Sequence, residues 1–211
     1  AAPYNKLMAG DVRFIDKNGD KAVNNGAGTV ADPGDMEIIG NELPRYTYSF
    51  RGHLSWNGID FSIFFQGVGQ IDWMPAKLCA YFWNTHQYAR TSFIASDFPE
   101  NTWTEDNRNA YFPRHRTYQA NSTGALGVKT DRYLQNARYL RLKNITLGYT
   151  LPIKRGIEKL RIYLSGENLA YWSPLKKYCK TVDPEVAVTG ASDDCLYPYS
   201  RTFSVGVDIT F

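Results

Sequence analysis

The stretch DKNGDKAV carries the most chemical content near the start of the chain. Asp16, Asn18 and Asp20 place side-chain oxygens at alternate positions. Oxygens at the first, third and fifth positions of a loop wrap a hard cation. A backbone carbonyl serves at the seventh, here Ala22, with an apolar residue beside it, here Val23. Calcium is the cation this spacing suggests. The pattern departs twice: Lys21 stands where a turn glycine belongs, and Ala27 where a bidentate acid belongs, so Asp32 or Asp35 would have to substitute. The competing reading is an Asx-rich turn that closes on its own hydrogen bonds.

A second group is aromatic. Trp73, Tyr81, Phe82, Trp83, Tyr88, Phe93, Trp103, Tyr111, Phe112 and Tyr118 crowd one long stretch. Flat apolar faces suit sugar rings or a protein lid, and equally suit a small core of their own. Trp73, Trp83, Trp103 and Tyr111 are the candidates for substrate or partner contact. The histidines, His53, His86 and His115, have no metal or catalytic spacing, and no nucleophile motif, P-loop or GxGxxG appears. The expectation is that the chain is not an enzyme. Cys179 and Cys195 share one polar stretch, and a loop disulfide between them is expected outside the cytoplasm. Cys79 then reads as a buried thiol.

The elements that position these residues follow from hydropathy. The chain has 211 residues, 43% of them hydrophobic and 15% aromatic, a net charge of +3 and a mean hydropathy of −0.42. No stretch approaches the roughly 20 apolar residues of a membrane helix. That excludes helical spans only, because a β-barrel places its apolar residues at every second position. No long basic run suggests nucleic acid. The opening AAPYNKLMAGD lacks a charged start and an apolar core, so either the protein is cytoplasmic or a leader precedes this sequence.

Alternation is the dominant pattern. In RTFSVGVDITF, Phe203, Val205, Val207, Ile209 and Phe211 fall on one face of a strand, and Thr202, Ser204, Gly206, Asp208 and Thr210 on the other. In RYTYSFRGHLSW, Tyr46, Tyr48, Phe50, Leu54 and Trp56 share a face, broken by Gly52. Asn57-Gly58 then signals a tight hairpin. The return strand sets Ile59, Phe61, Ile63 and Phe65 against Asp60, Ser62 and Gln66, with Phe64 as an exception on the polar side. NITLGYTL sets Ile145, Leu147, Tyr149 and Leu151 on one side; Leu140 and Leu142 upstream are out of phase, as a bulge or an exit from the apolar layer would make them. LRIYLSGEN sets Leu160, Ile162 and Leu164 against Arg161, Tyr163, Ser165 and Glu167.

Such strands also build soluble sandwiches. Three features favour a transmembrane antiparallel β-barrel. The cleanest strands are long enough to cross a bilayer when tilted, aromatics sit at strand ends as in an interface girdle, and short and long connections alternate. The expected order is an extracellular loop region over 1–44 that includes the calcium-type stretch, a barrel hairpin over 45–68, a long extracellular loop over 69–138, a second hairpin over 139–170, an extracellular loop over 171–200 and a closing strand over 201–211. With short turns in the periplasm, the direction of all five strands is self-consistent. Arg51, His53, Asp60, Gln66, Arg161, Tyr163 and Glu167 then face the lumen. Membrane barrels need about eight strands or more, so further strands are expected outside this sequence.

With these residues in view, the chain resembles the C-terminal part of SusC/RagA-type TonB-dependent transporters, outer-membrane proteins of Bacteroidetes. The matching stretches, in order, are GDVRFIDKNGD, IGNELPRYTYSFRGHLSWNGIDFSIFFQGVGQIDW, NTWTEDNRNAYFPR, YLQNARYLRLKNITLGYTLP, LRIYLSGENL and RTFSVGVDITF. The resemblance implies an all-β fold in which this chain supplies the last five strands of a barrel of roughly 22 strands around a plug. It implies import of oligosaccharides or peptides, a SusD-like surface lipoprotein, and energy from the TonB complex. Neither a plug nor a TonB box is present in this sequence. Phe203, Val205, Val207, Ile209 and Phe211 match the closing amphipathic strand that outer-membrane assembly recognises. The competing functions are an outer-membrane adhesin barrel without TonB coupling and an extracellular glycan-binding β-sandwich.

Overall fold

The computed structural model describes residues 8–87, 94–116, 126–153, 156–187 and 197–211. Its strands are β1 (Thr47–Trp56), β2 (Ile59–Val68), β3 (Asp72–Trp73), β4 (Thr102–Trp103), β5 (Phe112–Arg114), β6 (Gln135–Asn136), β7 (Tyr139–Leu151), β8 (Lys159–Trp172) and β9 (Thr202–Thr210). Two short helices, α1 (Ala80–Trp83) and α2 (Pro184–Ala187), accompany them. No helix among the described residues is long and apolar enough to cross a membrane, which says nothing of a β-barrel. The described residues divide into two compact units, one within residues 8–40 and 74–134 and one within residues 41–73, 135–187 and 197–211.

The second unit is built on one antiparallel sheet with the order β1-β2-β7-β8-β9. Each neighbouring pair is joined in chain order, so the sheet is a simple meander. β1 and β2 meet at Asn57-Gly58, where both residues adopt positive φ (48° and 81°). That is the backbone a two-residue hairpin needs to follow the strand twist.

The register sorts the side chains into two faces. Trp56, Ile59, Tyr149, Ile162 and Val207 form one row across the five strands. Leu54, Phe61, Leu147, Leu164 and Val205 form the next. The opposite face carries His53, Ser62, Thr146, Ser165 and Ser204 in one row. The apolar rows are not covered: Phe203, Val205, Val207 and Ile209 are 76%, 73%, 56% and 49% exposed. A water-soluble sandwich would bury such a face against a second layer.

The phase break upstream of Ile145 is a bulge. Phe64 and Phe65 of β2 pair with Asn144 and Leu142 of β7, leaving Lys143 as the extra residue. A bulge puts two successive side chains on one side. Leu140 and Leu142 therefore join the apolar face, while Arg141 and Lys143 stay with the polar one. Phe64, the aromatic exception on the polar face, lies under the Arg51 guanidinium, 5.2 Å from its ring centre. β8 continues to Trp172, two residues past the expected hairpin, because Ala170 and Trp172 pair with Leu142 and Leu140.

The first unit has an aromatic core. Phe82 and Trp83 of α1 meet edge to face with centroids 4.7 Å apart, and Tyr133, Phe112 and Tyr111 pack around them. β4 and β5 pair in parallel beside this cluster. Burial pushes the Tyr133 phenol up to about 12.

Candidate functional site

The polar face of the sheet holds a charged bridge across three strands. Arg161 of β8 binds Asp60 of β2 through two contacts, Nε to Oδ1 at 2.8 Å and Nη2 to Oδ2 at 2.6 Å. Its Nη1 reaches Asp208 of β9 at 2.9 Å. A forked, bidentate pair fixes direction as well as charge. The contact passes over β7 at Gly148, which pairs with Asp60 on one side and Tyr163 on the other. A Cβ at Gly148 would stand 2.5 Å from Asp60 Oδ1 and 2.7 Å from Arg161 Nε. A side chain at this position would have to push the Asp60–Arg161 bridge aside. Tyr163 lies across Gly206 in the same manner, and Arg161 stacks on the Tyr163 ring at 4.8 Å.

A second charged group lies at the end of the sheet away from Asn57-Gly58. Arg141 binds Asp183, and each side chain is only 1% exposed. Arg141 Nε lies 2.9 Å from Glu185 Oε2, and Lys143 Nζ binds both Glu185 oxygens at 2.7 and 2.9 Å. Asp183 accepts the backbone N–H of Glu185 and of Tyr199, so it ties α2 and the segment before β9 to the wall. Tyr171 and Tyr199 lie against the Arg141 guanidinium at 4.9 and 5.3 Å. A buried pair needs this many partners to offset desolvation.

The register places Arg51, His53, Asp60, Gln66, Arg161, Tyr163 and Glu167 on this one face. Sequence reasoning placed Asp208 on the polar face of the last strand without making it a candidate, and it missed Gly148, Arg141, Lys143, Asp183 and Glu185 as site residues. The out-of-phase RLK at 141–143 was the available signal. Asp183 and Glu185 gave none, since their partners are fixed only by the tertiary path.

Of the aromatic candidates, Trp83 is fully buried with Nε1 donating to the Ala76 carbonyl at 2.9 Å, and Trp73 is buried in its own unit. Trp103 is half-buried beneath Arg114, 4.6 Å from the ring. Tyr111 is half-buried and donates its hydroxyl to the Arg132 carbonyl. Tyr88, Phe93 and Tyr118 lie outside the described residues.

At 16–27, Asp16 accepts the backbone N–H of Gly19 and Lys21 through its two carboxylate oxygens. Asn18 accepts from Asp20, and Asp20 from Ala22. Lys21 takes the positive φ of the turn, 68°. Asp32 accepts from Ala27, and Asp35 from Lys17 and Asn24. Those two N–H groups, Asn24 first, hold the Asp35 carboxyl below the usual carboxylate range. Among the described residues, no group of three or more His, Cys, Asp or Glu side chains is placed to hold a metal ion. Cys79 and Cys179 are buried, and Cys195 lies outside the described residues, as does its proposed bridge to Cys179.

No family model matches the chain. Two curated proteins of Formosa agariphila do. TonB-dependent receptor P26 is 25% identical over 218 residues, covering 97% of this chain and 20% of that protein. TonB-dependent receptor P3 is 28% identical over 189 residues, covering 84% and 17%. Among solved structures, the RagAB peptide transporter matches with a TM-score of 0.60 at 25% identity, over 82% of this chain and 18% of that one. The RagAB peptide importer in its open-open state matches with a TM-score of 0.54 at 26% identity, over 78% and 17%. These relatives are receptors and transporters, not enzymes. The chain is homologous to TonB-dependent receptors, a relationship that indicates the outer membrane, and it spans about a fifth of the length of the curated relatives it matches.

Proposed function

We propose that this chain is the C-terminal barrel segment of a SusC-like TonB-dependent importer in the outer membrane. The observation that carries the reading is the two-sided sheet. Its apolar rows are uncovered, while its opposite face keeps Arg161 paired to Asp60 and Asp208. Lipid is the solvent that suits the first face, and an aqueous or plug-filled lumen suits the second. The sheet's edge strands, β1 and β9, pair on one side only among the described residues. In hydrocarbon each unpaired backbone group costs several kcal/mol, so the five strands belong within a closed barrel of roughly 22 strands.

In this reading Asn57-Gly58 and the turn at 152–158 face the periplasm, and the loops at 69–138 and 171–200 face outward. The charged wall contacts plug or cargo. Peptides are the favoured cargo, because the solved relatives are described as peptide transporters; oligosaccharides are the alternative. A SusD-like lipoprotein covers the outer loops, and Trp103 and Tyr111 are the aromatics best placed to meet partner or cargo. The apparatus works by binding and conformational coupling, and the TonB complex supplies the energy.

The test uses the full-length transporter in its own cells. Membranes washed with carbonate should retain it, and disrupting TonB or the neighbouring lipoprotein should abolish uptake of its peptide or oligosaccharide cargo. Release by carbonate, or uptake untouched by TonB loss, would contradict the proposal.

A further inference from the structure

At the end of the sheet away from Asn57-Gly58, two tyrosines gather cations on the polar face. Tyr171 pairs in register with Arg141, whose guanidinium lies 4.9 Å from its ring centre. The Lys176 ammonium lies on the same ring, 3.8 Å from the centre, and donates to the Tyr171 carbonyl at 2.8 Å. Arg201, just before β9, is close enough for its charge to act on the Tyr171 phenol. Tyr199 has Arg141 at 5.3 Å and Lys143 at 4.9 Å from its ring centre.

The carboxylates in this cluster are already engaged. Asp183 takes Arg141 and two backbone N–H groups, and Glu185 takes Arg141 and Lys143. Four cations against two carboxylates leave two in surplus, Lys176 and Arg201. Both are exposed, and among the described residues neither is in an ion pair. Glu167, which pairs in register with Thr202, bridges to neither. The ring beneath Lys176 holds the ammonium in place without neutralising it, and two of its three N–H groups are left by the bond to the Tyr171 carbonyl. Cations fixed on a polar wall without a counter-charge suit a carboxylate that arrives from outside the chain.

We propose that Lys176 and Arg201 form a subsite for the carboxylates of an acidic peptide at the outer mouth of the lumen. The inference rests on the importer reading, which turns the polar face toward the lumen and this end of the sheet outward. Peptides carry the carboxylate here because they are the favoured cargo of that reading; a uronic-acid oligosaccharide presents the same group.

The experiment takes the purified full-length transporter and two labelled peptides of one length, the first rich in Asp and Glu, the second with Asn and Gln in their place. Fluorescence anisotropy reads binding. The acidic peptide should bind the wild type roughly fivefold to tenfold more tightly than the amide peptide, the size of two partly exposed ion pairs. K176Q/R201Q should lose that preference, K176R/R201K should keep it, and the amide peptide should bind all three proteins alike. Oligogalacturonide should bind the wild type more weakly than the acidic peptide. A preference that survives in K176Q/R201Q, no preference in the wild type, or an equal loss of both peptides in the variant would each overturn the subsite. Tighter binding of oligogalacturonide would overturn the peptide assignment. Uptake untouched by TonB loss would instead overturn the importer reading, whereas TonB-dependent uptake with both peptides bound alike would overturn only this inference.

Discussion

Val207→Lys or Ile209→Lys should destabilise the folded membrane protein by about 2–4 kcal/mol where the residue lies near the bilayer midplane. Val207 shares its row with Ile162, Tyr149 and Ile59, and Ile209 pairs with Leu160. An ammonium there would have to lose its hydration or snorkel past apolar neighbours. Lys at Ser204 or Thr210 should cost much less, because those positions share the face of Arg161 and Asp60. Heat-modifiability on gels, which reports barrel unfolding, ranks the four variants of the full-length protein. Equal losses on both faces would remove the distinction between lipid and lumen.

Asp183→Ala should be the most damaging change on the polar face. It leaves Arg141, 1% exposed, without its buried carboxylate. Stranding one member of such a pair costs about 3–5 kcal/mol. It also frees the backbone N–H groups of Glu185 and Tyr199 that Asp183 now accepts. Glu185→Ala should cost less, since Arg141 keeps Asp183 and the other partner of Glu185, Lys143, is partly solvated. Replacing both Arg141 and Asp183 by apolar residues of similar size should restore much of the loss, because no buried charge is left unpaired. Thermal unfolding of the full-length protein, together with protease nicking near 173–187, reads all three. A mild Asp183→Ala phenotype would mean that this loop is not anchored through the pair.

The strands were legible because one face of the sheet is apolar and the other polar, so period-two alternation survives along Phe203–Phe211 without interruption. Asn57-Gly58 marked its turn for a local reason, the positive φ at both residues. The break at Leu140 and Leu142 was visible as a phase error, but its cause, the extra Lys143, needed the pairing with Phe64 and Phe65. The Asp60–Arg161 bridge was half-visible: both residues read as lumen-facing, yet their meeting passes over Gly148, 88 residues after Asp60. The stretch 69–138 read as a loop, whereas its described part contains short strands and an aromatic core around Trp83. Side chains that pack without periodicity leave no such trace in sequence.

Single-cysteine labelling along β9 tests the two-faced wall most directly. In the full-length transporter with its native cysteines replaced, Cys at 205 and 207 should resist a water-soluble maleimide, because a thiol in hydrocarbon stays protonated and only the thiolate reacts. Cys at 204 and 208 should react with it faster, since they share the polar face. Equal reaction of both sets, as on a globule in water, would contradict the account.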